Sequence, residues 1–289
     1  MTGPNGGGNA VSSSEAGLES CRTEALKLRA AGEFAAAVAL LEEALLTSVD
    51  VNGPDSLPTL RIRNEIGYTY ELAGELTQAI AVLEANLAVG RRVLGPENRE
   101  VLALHHNLAN VYLSAGMFDR ATRMWEESLA AHELQCLPND PTLLMVRAKL
   151  ATAYRRAGQI ERATVLYDET LAACLHSEDT THPHLLTAQN DLGIGYNMLE
   201  QLEKSVMVFE LCLAGYTEVY GADHHQTRNV RDNLALSCEE AGHTDQAIDL
   251  YETNLAHCER LFGIDHPKSA TARGKLSACR QKSDDATPK

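Results

Sequence analysis

A glycine recurs every 42 residues along most of this 289-residue chain, and that period constrains the fold more than any other feature. Five of the six grid positions are glycine, and the sixth is Glu200. Three more columns follow at fixed offsets: a small residue, a large apolar or aromatic residue, and a leucine. A period of this length over six copies indicates a stack of repeated supersecondary units. The columns are Gly32, Gly74, Gly116, Gly158, Glu200 and Gly242; Ala37, Ala79, Ala121, Ala163, Ser205 and Ala247; Leu41, Leu83, Trp125, Tyr167, Phe209 and Tyr251; and Leu45, Leu87, Leu129, Leu171, Leu213 and Leu255.

Each copy has the pattern of two amphipathic helices joined at the glycine. Before Gly116, the residues Leu104, Leu108, Val111 and Tyr112 form an apolar stripe at i, i+4, i+7 and i+8. A similar stripe follows the glycine. Glycine itself suits the C′ position at the end of the first helix, because that position often needs positive φ. The small residue lets the two helices approach closely, and the large one fills the space beside it. The sequence therefore predicts an all-α repeat fold. The second stripe consists of Ala121, Met124, Trp125, Ser128 and Leu129.

These residues resemble the tetratricopeptide repeat family in its 42-residue, kinesin-light-chain-like form. The resemblance rests on NLANVYLSAGMFDRATRMWEESL at 107–129 and, between repeats, on LGPENREV at 94–101 and FGIDHPKS at 262–269. It implies a right-handed superhelical solenoid of six helix-turn-helix repeats plus a C-terminal capping helix. It does not imply a particular partner, because one fold hosts many functions.

The period divides the chain into a repeat domain at 16–281 and two tails. The tails, 1–15 and 282–289, are Gly/Ser/Asn-rich or polar and are predicted to be disordered. The first copy is degenerate and the last helix is basic and polar, as suits terminal caps that have one face in water. The predicted repeats are 18–59, 60–101, 102–143, 144–185, 186–227 and 228–269, followed by the capping helix at 270–281.

Composition excludes several classes of function. The formal net charge of −15 disfavours nucleic acid and anionic membrane, because binding to phosphate backbones comes largely from clustered Lys and Arg. The sequence has no run of 18 apolar residues and no signal-peptide pattern at its start. We therefore expect a soluble, cytoplasmic protein.

The seven cysteines are odd in number and form no C-x-x-C pair. Neither a disulfide framework nor a structural zinc site is indicated, so most should be small buried hydrophobic residues in a reducing compartment. No cofactor is expected.

The stretch GADHHQT, 221–227, places Asp223, His224 and His225 together and raises the question of a metal or acid–base site. The period favours a different interpretation, because His224 lies just before a first helix, in a column that favours N-cap residues, and His225 replaces a proline. Successive repeats are at least about 8–10 Å apart, so the column cannot share one ion whose ligands lie at about 2 Å. We expect a cap or linker and no metal. The column is Ser56, Asn98, Asp140, His182, His224 and His266.

In the resembled family, the first helix of each repeat lines a concave groove that binds extended peptides or helices. Applied to this chain, the resemblance implies a groove rich in asparagine, a mediocre helix former whose amide can serve both the N–H and the C=O of a bound backbone. An ordinary solvated helix face is the alternative. The predicted ligand contacts are Arg61, Asn64, Tyr68, His106, Asn107, Asn110, Lys149, Thr152, Arg155, Arg156, Asn190, Asp191, Asn197, Asn229, Asp232 and Asn233.

Charge along this predicted groove is segregated. Lys149, Arg155 and Arg156 form a basic centre, and an acidic end consists of Asp232, Glu239 and Glu240. A bound segment should then be acidic at the fourth repeat and basic at the sixth.

His105 and His106 point about 100° apart on one helix, so only His106 is expected on the groove face, while His105 packs or meets solvent. Some family members grip a C-terminal carboxylate with Lys and Asn from three adjacent repeats. That pattern is absent, since the three clamp positions hold His106, Lys149 and Thr187.

The leading hypothesis is a non-enzymatic scaffold or adaptor that binds a protein or peptide. Neither the P-loop pattern nor H-E-x-x-H occurs in the sequence. The alternatives are a peptide sensor that acts on a signalling or transcription partner, and an enzyme whose site is built across the groove from His106, Lys149, Arg155 and Asp191. Self-association through repeat faces also stays open.

Overall fold

The computed structural model describes residues 7–177 and 179–286, and over these ranges it contains thirteen α-helices and no strand. The chain forms two compact units, residues 1–128 and 129–289, and helix α6 runs across the division. Over the described ranges, no helix is both long and apolar enough to cross a bilayer.

The first unit holds three first helices and their partners. Its helices are α1 (Gly7–Ala31), α2 (Phe34–Asn52), α3 (Leu57–Leu72), α4 (Leu76–Leu94), α5 (Arg99–Ser114) and the start of α6 (Phe118–Glu133). The second unit continues with α7 (Pro141–Arg156), α8 (Ile160–Cys174), α9 (Pro183–Met198), α10 (Leu202–Tyr220), α11 (His225–Ala241), α12 (Thr244–Phe262) and α13 (Pro267–Ala286). Odd-numbered helices are the first helices of the repeats, and even-numbered helices are the second.

The helix pairs start three residues before the period-based boundaries, at 57 rather than 60 in the second repeat. The predicted tails lie partly outside the described residues, namely at 1–6 and 287–289. Within the described part, α1 already begins at Gly7 and α13 continues to Ala286, past the predicted ends at 16 and 281. A formed helix lengthens readily, because each added residue gains one backbone hydrogen bond once the nucleus exists.

The capping column has the predicted role. Asn98 and Asp140 accept hydrogen bonds from the backbone N–H of Glu100 (2.9 Å) and Thr142 (2.8 Å). His182 accepts a bond from the N–H of His184 at 3.1 Å. These bonds satisfy amides that the first helical turn leaves without partners, so a ring nitrogen substitutes for the usual carboxylate or hydroxyl oxygen.

The turn glycines also behave as predicted. Gly158, for example, has φ of 78° between α7 and α8. Glu200, at the equivalent point between α9 and α10, has φ of 58° and is the one non-glycine residue with positive φ in the described ranges. The backbone of this turn is thus kept where its glycine is missing.

A second glycine column, which the sequence analysis overlooked, ends the second helices. Gly53, Gly95, Gly221 and Gly263 have φ between 85° and 96° with ψ near 160°, a region that only glycine occupies freely. All four follow helices of 19 residues. Where Leu137 and Asp179 occupy the same slot, α6 and α8 end after 16 and 15 residues.

The large residues nine positions after the grid form the centre of the core, as predicted. Trp125, Tyr167 and Phe209 are at most 1% exposed. In the second unit, α9 meets two of these rings with glycines. A Cβ built on Gly195 would lie 2.4 Å from the ring of Tyr167, and one on Gly193 would lie 2.7 Å from the ring of Phe209. Glycine there permits closer approach than any side chain would.

Candidate functional site

Side chains on the first helices bond one another at a spacing of 42 or 43 residues, which is one repeat. In the first unit, the Asn107 amide donates to the Asn64 side chain at 2.9 Å, and the Ser114 hydroxyl donates to Glu71 at 3.0 Å. These bonds place predicted site residues of α3 and α5 on one surface, which we call the first-helix face of the first unit.

Most other predicted contacts on this face already have partners. Arg61 forms an ion pair with Glu100, and its hydrogen bond lowers the pKa of the Glu100 carboxyl. Tyr68 is 42% exposed, with the guanidinium of Arg29 5.3 Å from its ring centre. Asn110 is partly buried and makes no side-chain hydrogen bond among the described residues.

His105 and His106 have different surroundings in the structure. His105 is buried, and its Nε2 lies 3.4 Å from Glu127. His106 stacks on Trp125, with ring centres 5.0 Å apart, and its Nε2 lies 2.7 Å from the Ser128 hydroxyl. The ring of His106 therefore covers the core tryptophan, so it has a packing role whether or not it meets a ligand.

The first-helix face of the second unit is formed by α7, α9, α11 and α13. Lys149 of α7 forms an ion pair with Asp191 of α9, with its ammonium nitrogen 2.9 Å from Oδ2. Asn197 donates to Glu240 at 2.5 Å and to Ser237 at 3.2 Å. The same one-repeat spacing thus interlocks α7 with α9 and α9 with α11.

The predicted acidic end of this face is partly neutralised by α13. Lys275 donates to Asp232 at 2.7 Å, and Lys282 pairs with Glu239 at 2.5 Å. Asp232 also accepts a bond from Asn254 at 2.6 Å. Sequence reasoning missed these pairs, although the 43-residue spacing of the basic and acidic residues is a signal that could have revealed them.

A polar cluster surrounds Tyr167 beneath the predicted basic centre. The Thr152 hydroxyl lies 3.0 Å from that of Tyr167. Burial raises the pKa of Tyr167, while Thr152 and Arg155 act in the opposite direction. The Tyr167 phenol therefore stays neutral and anchors the inner side of this face.

Arg155 and three asparagines of the second unit's first-helix face have polar atoms without a partner among the described residues. Arg155 faces the Tyr167 hydroxyl but forms no ion pair with any described residue, and its buried Nε has no acceptor. Asn190, Asn229 and Asn233 make no side-chain hydrogen bond within 7–177 and 179–286. Arg156, next to Arg155, is exposed.

The residues of GADHHQT have separate roles in the structure. His224 accepts a bond from the N–H of Gln226 at 3.4 Å and stacks on Tyr220 with ring centres 4.8 Å apart, which confirms the cap interpretation. Asp223 pairs with Arg260 and lies 3.0 Å from His257. Burial, followed by neighbouring positive groups, lowers the pKa of His225. Among the described residues, no three His, Cys, Asp or Glu side chains are grouped as a metal site would require.

All seven cysteines are free thiols, and five are buried, as the sequence predicted for most of them. Burial raises the pKa of Cys174 to about 12 and that of Cys238 to about 11, so both are protonated near neutral pH.

The chain matches a tetratricopeptide repeat family model at residues 59–134, 101–176, 141–218 and 184–256. A second tetratricopeptide repeat model matches residues 27–57. These matches cover well over half of the sequence. No curated protein sequence matches the chain.

Several solved structures are similar to it. A kinesin light chain-like protein of Podosopora anserina with nearly identical TPR-like repeats is 25% identical with a TM-score of 0.53, over 70% of this chain and 96% of that one. A thermophilic TPR protein of Thermus thermophilus is 19% identical with a TM-score of 0.52, over 77% and 99%. A signal transduction ATPase with a tetratricopeptide repeat sensor from Pyrococcus horikoshii is 14% identical with a TM-score of 0.59, over 94% and 40%. The last two similarities concern the fold alone.

Proposed function

Because the chain belongs to the tetratricopeptide repeat family, whose scaffolds generally mediate protein–protein interaction and are typically not enzymes, we propose that it binds an extended segment of a partner protein. The binding surface is the first-helix face of its second unit. We infer a cytoplasmic location, which the seven free thiols support.

Arg155 is the observation that carries the proposal. The lysines of this face, Lys149, Lys275 and Lys282, each meet an acid one repeat away. One repeat after Arg155 the chain has Asn197, which bonds Ser237 and Glu240 instead. A partly buried guanidinium without a counter-ion bears a desolvation cost that a carboxylate from a partner would offset.

The free amides support the same conclusion. Asn190, Asn229 and Asn233 lie on α9 and α11, and none has an intramolecular partner in the described part of the chain. An extended segment exposes its backbone N–H and C=O groups, and an asparagine side chain can serve both. The bound segment is therefore acidic where it meets Arg155, and its backbone lies across the amides of α9 and α11.

A displayed library of random 12-residue peptides, selected against the purified chain, tests this proposal. We expect enriched peptides to contain Asp or Glu. Arg155→Gln should weaken their binding about tenfold or more, since a hydrogen bond to a charged group contributes about 1.5–3 kcal/mol. Fluorescence anisotropy of labelled peptides measures the change.

The matched control is Arg123→Gln, because the exposed Arg123 of α6 bonds the backbone oxygen of Asp119, at 3.3 Å, and makes no ion pair with any described residue. For the amides, Asn233→Ala is compared with Asn139→Ala, a change at an exposed position in the loop before α7. Enriched peptides that bind Arg155→Gln as tightly as the parent chain would overturn the proposal.

A further inference from the structure

The outer surface of α8 carries an apolar residue between two carboxylates. Glu161, Val165 and Glu169 are four residues apart and all exposed, and Val165 is 58% exposed. Residues at i, i+4 and i+8 share one helix face, so the two carboxylates are about 12 Å apart along the axis, at 1.5 Å per residue. Glu161 and Glu169 form no ion pair with any residue the structure describes.

The neighbours of this surface differ on the two sides of α8. On one side, Val165 and Leu166 form a shallow trough with Leu129, at the end of α6. On the other side lies α10, which Lys204 joins to Asp168 of α8 at 2.6 Å. We call the surface of α8 and α10 the outer patch. Its exposed members are Glu161, Val165, Glu169, Glu203, Met207 and Leu211.

Among the second helices, this pattern is specific to α8. The residues of α4 at these three positions are Thr77, Ala81 and Ala85, and those of α12 are Asp245, Asp249 and Thr253. The first set lacks acids and the second lacks an apolar residue. Exposed, contiguous apolar side chains with a polar rim are a mark of interaction sites on otherwise soluble surfaces.

We propose that the outer patch binds a basic amphipathic helix of another protein. Unpaired carboxylates on both sides of Val165 complement Lys or Arg residues at both edges of an apolar stripe. A helix with its side chains is about 10–12 Å across, which matches the spacing of Glu161 and Glu169, so a helix that crosses α8 can place both edges of its apolar stripe at the two carboxylates. A second copy of this chain fits poorly, because it would place like-charged patches of a chain with net charge −15 together.

The test uses a fluorescently labelled, synthetic 18-residue peptide with leucines along one helical face and lysines on both sides of them. At physiological salt, Glu161→Lys with Glu169→Lys should weaken binding of this peptide about tenfold or more, because two attractions become repulsions. Val165→Asn should weaken it by a similar factor, since it replaces the apolar anchor without changing the charge.

The matched control is Asp245→Lys with Asp249→Lys on α12, which changes the net charge equally but lies outside the outer patch. It should leave the affinity within about twofold, as should Arg155→Gln, so this proposal and that for the first-helix face can fail separately. Hydrogen exchange should show new protection in α8 when the peptide binds. Equal weakening by the α8 and α12 variants would mean only non-specific attraction, and it would overturn the proposal, as would tight binding of a scrambled peptide of the same composition.

Discussion

The second helices of two neighbouring repeats, α8 and α10, differ at both ends. Helix α8 follows Gly158 and stops at Cys174 after 15 residues, whereas α10 follows Glu200 and runs 19 residues to the glycine at 221. Each helix therefore has one of the two glycines of the repeat and lacks the other.

The two losses have different consequences. The turn at Glu200 keeps the backbone hydrogen bond of the turn at Gly158. The N–H of Gln201 donates to the carbonyl oxygen of Tyr196 at 2.9 Å, and the N–H of Gln159 donates to the carbonyl oxygen of Tyr154 at 2.8 Å. At the other end, Asp179 does not continue a long helix, and its side chain instead accepts bonds from the Thr181 N–H (3.0 Å) and hydroxyl (2.8 Å). A non-glycine residue can adopt the left-handed helical conformation of Glu200 at an energetic cost. The conformation near φ 85° and ψ 160° is almost inaccessible to any residue except glycine.

The largest expected effect tests whether α8 and α10 differ only at their ends. Tyr167 of α8 and Phe209 of α10 occupy the same column, and each ring lies against a glycine of α9. Tyr167→Ala and Phe209→Ala should each lower the free energy of unfolding by about 3–5 kcal/mol, the usual cost of a buried aromatic cavity. Denaturant unfolding followed by circular dichroism measures both.

Tyr167→Phe is the control, since it keeps the ring and removes only the hydroxyl, which bonds Thr152 and faces Arg155. It should cost about 1 kcal/mol. A loss for Phe209→Ala that is less than half of that for Tyr167→Ala would show that the cores of the two repeats differ as well.

The second effect in size concerns the end of α10. Gly221 has φ of 85° and ψ of 162°, so Gly221→Ala should destabilise the chain by about 1–3 kcal/mol through backbone strain. Asp179→Ala, at the matched position after α8, should destabilise the chain much less than Gly221→Ala, because it removes exposed side-chain bonds without forcing a strained backbone. Equal losses in thermal or denaturant unfolding would contradict the distinction drawn between the two slots.

Sequence reasoning reached the features that depend on local spacing. The capping column, the turn glycines and the large core residues recur at 42 residues, and each has a local physical reason to be where it is. The glycines at 53, 95, 221 and 263 follow the same 42-residue period at a different offset from the turn glycines. They were therefore predictable from the sequence as well. The short ends of α6 and α8 follow from that column.

The surface was less predictable because its chemistry depends on neighbouring helices. Asn64 and Asn107, both predicted ligand contacts, bond each other across one repeat. At the predicted acidic end, Lys275 and Lys282 of α13 meet two of the three carboxylates. Such pairs become visible only when the side-by-side packing of first helices is known.

A stabilising change at Glu200 comes next in size. Glu200→Gly removes the strain of a non-glycine residue in the left-handed conformation, which is typically about 1–2 kcal/mol. Because glycine also increases the conformational entropy of the unfolded chain, we expect a net increase in the free energy of unfolding of up to about 1 kcal/mol. The reciprocal Gly158→Glu should destabilise by about 1–2 kcal/mol. Midpoints of denaturant unfolding compare the pair, and an unchanged or lower midpoint for Glu200→Gly would show that the turn imposes no strain.

The smallest effect concerns the bridge between the two helices. Asp168 of α8 accepts bonds from Lys204 of α10 at 2.6 Å and from Tyr196 of α9 at 2.8 Å. Burial acts to raise the pKa of Asp168, but the bonds from Lys204 and Tyr196 outweigh it, so the pKa is lowered. A carboxyl whose folded pKa lies below its unfolded value of about 3.9 stabilises the fold above that pH, and the contribution is lost as pH falls through the folded pKa.

Asp168→Asn should therefore reduce stability slightly at neutral pH and flatten the acid side of the stability profile, measured by urea unfolding between pH 6 and pH 3. Asp249→Asn on α12, an exposed aspartate with no ion pair in the described ranges, should leave that profile unchanged, and matching profiles for the two variants would exclude a stabilising bridge between α8 and α10.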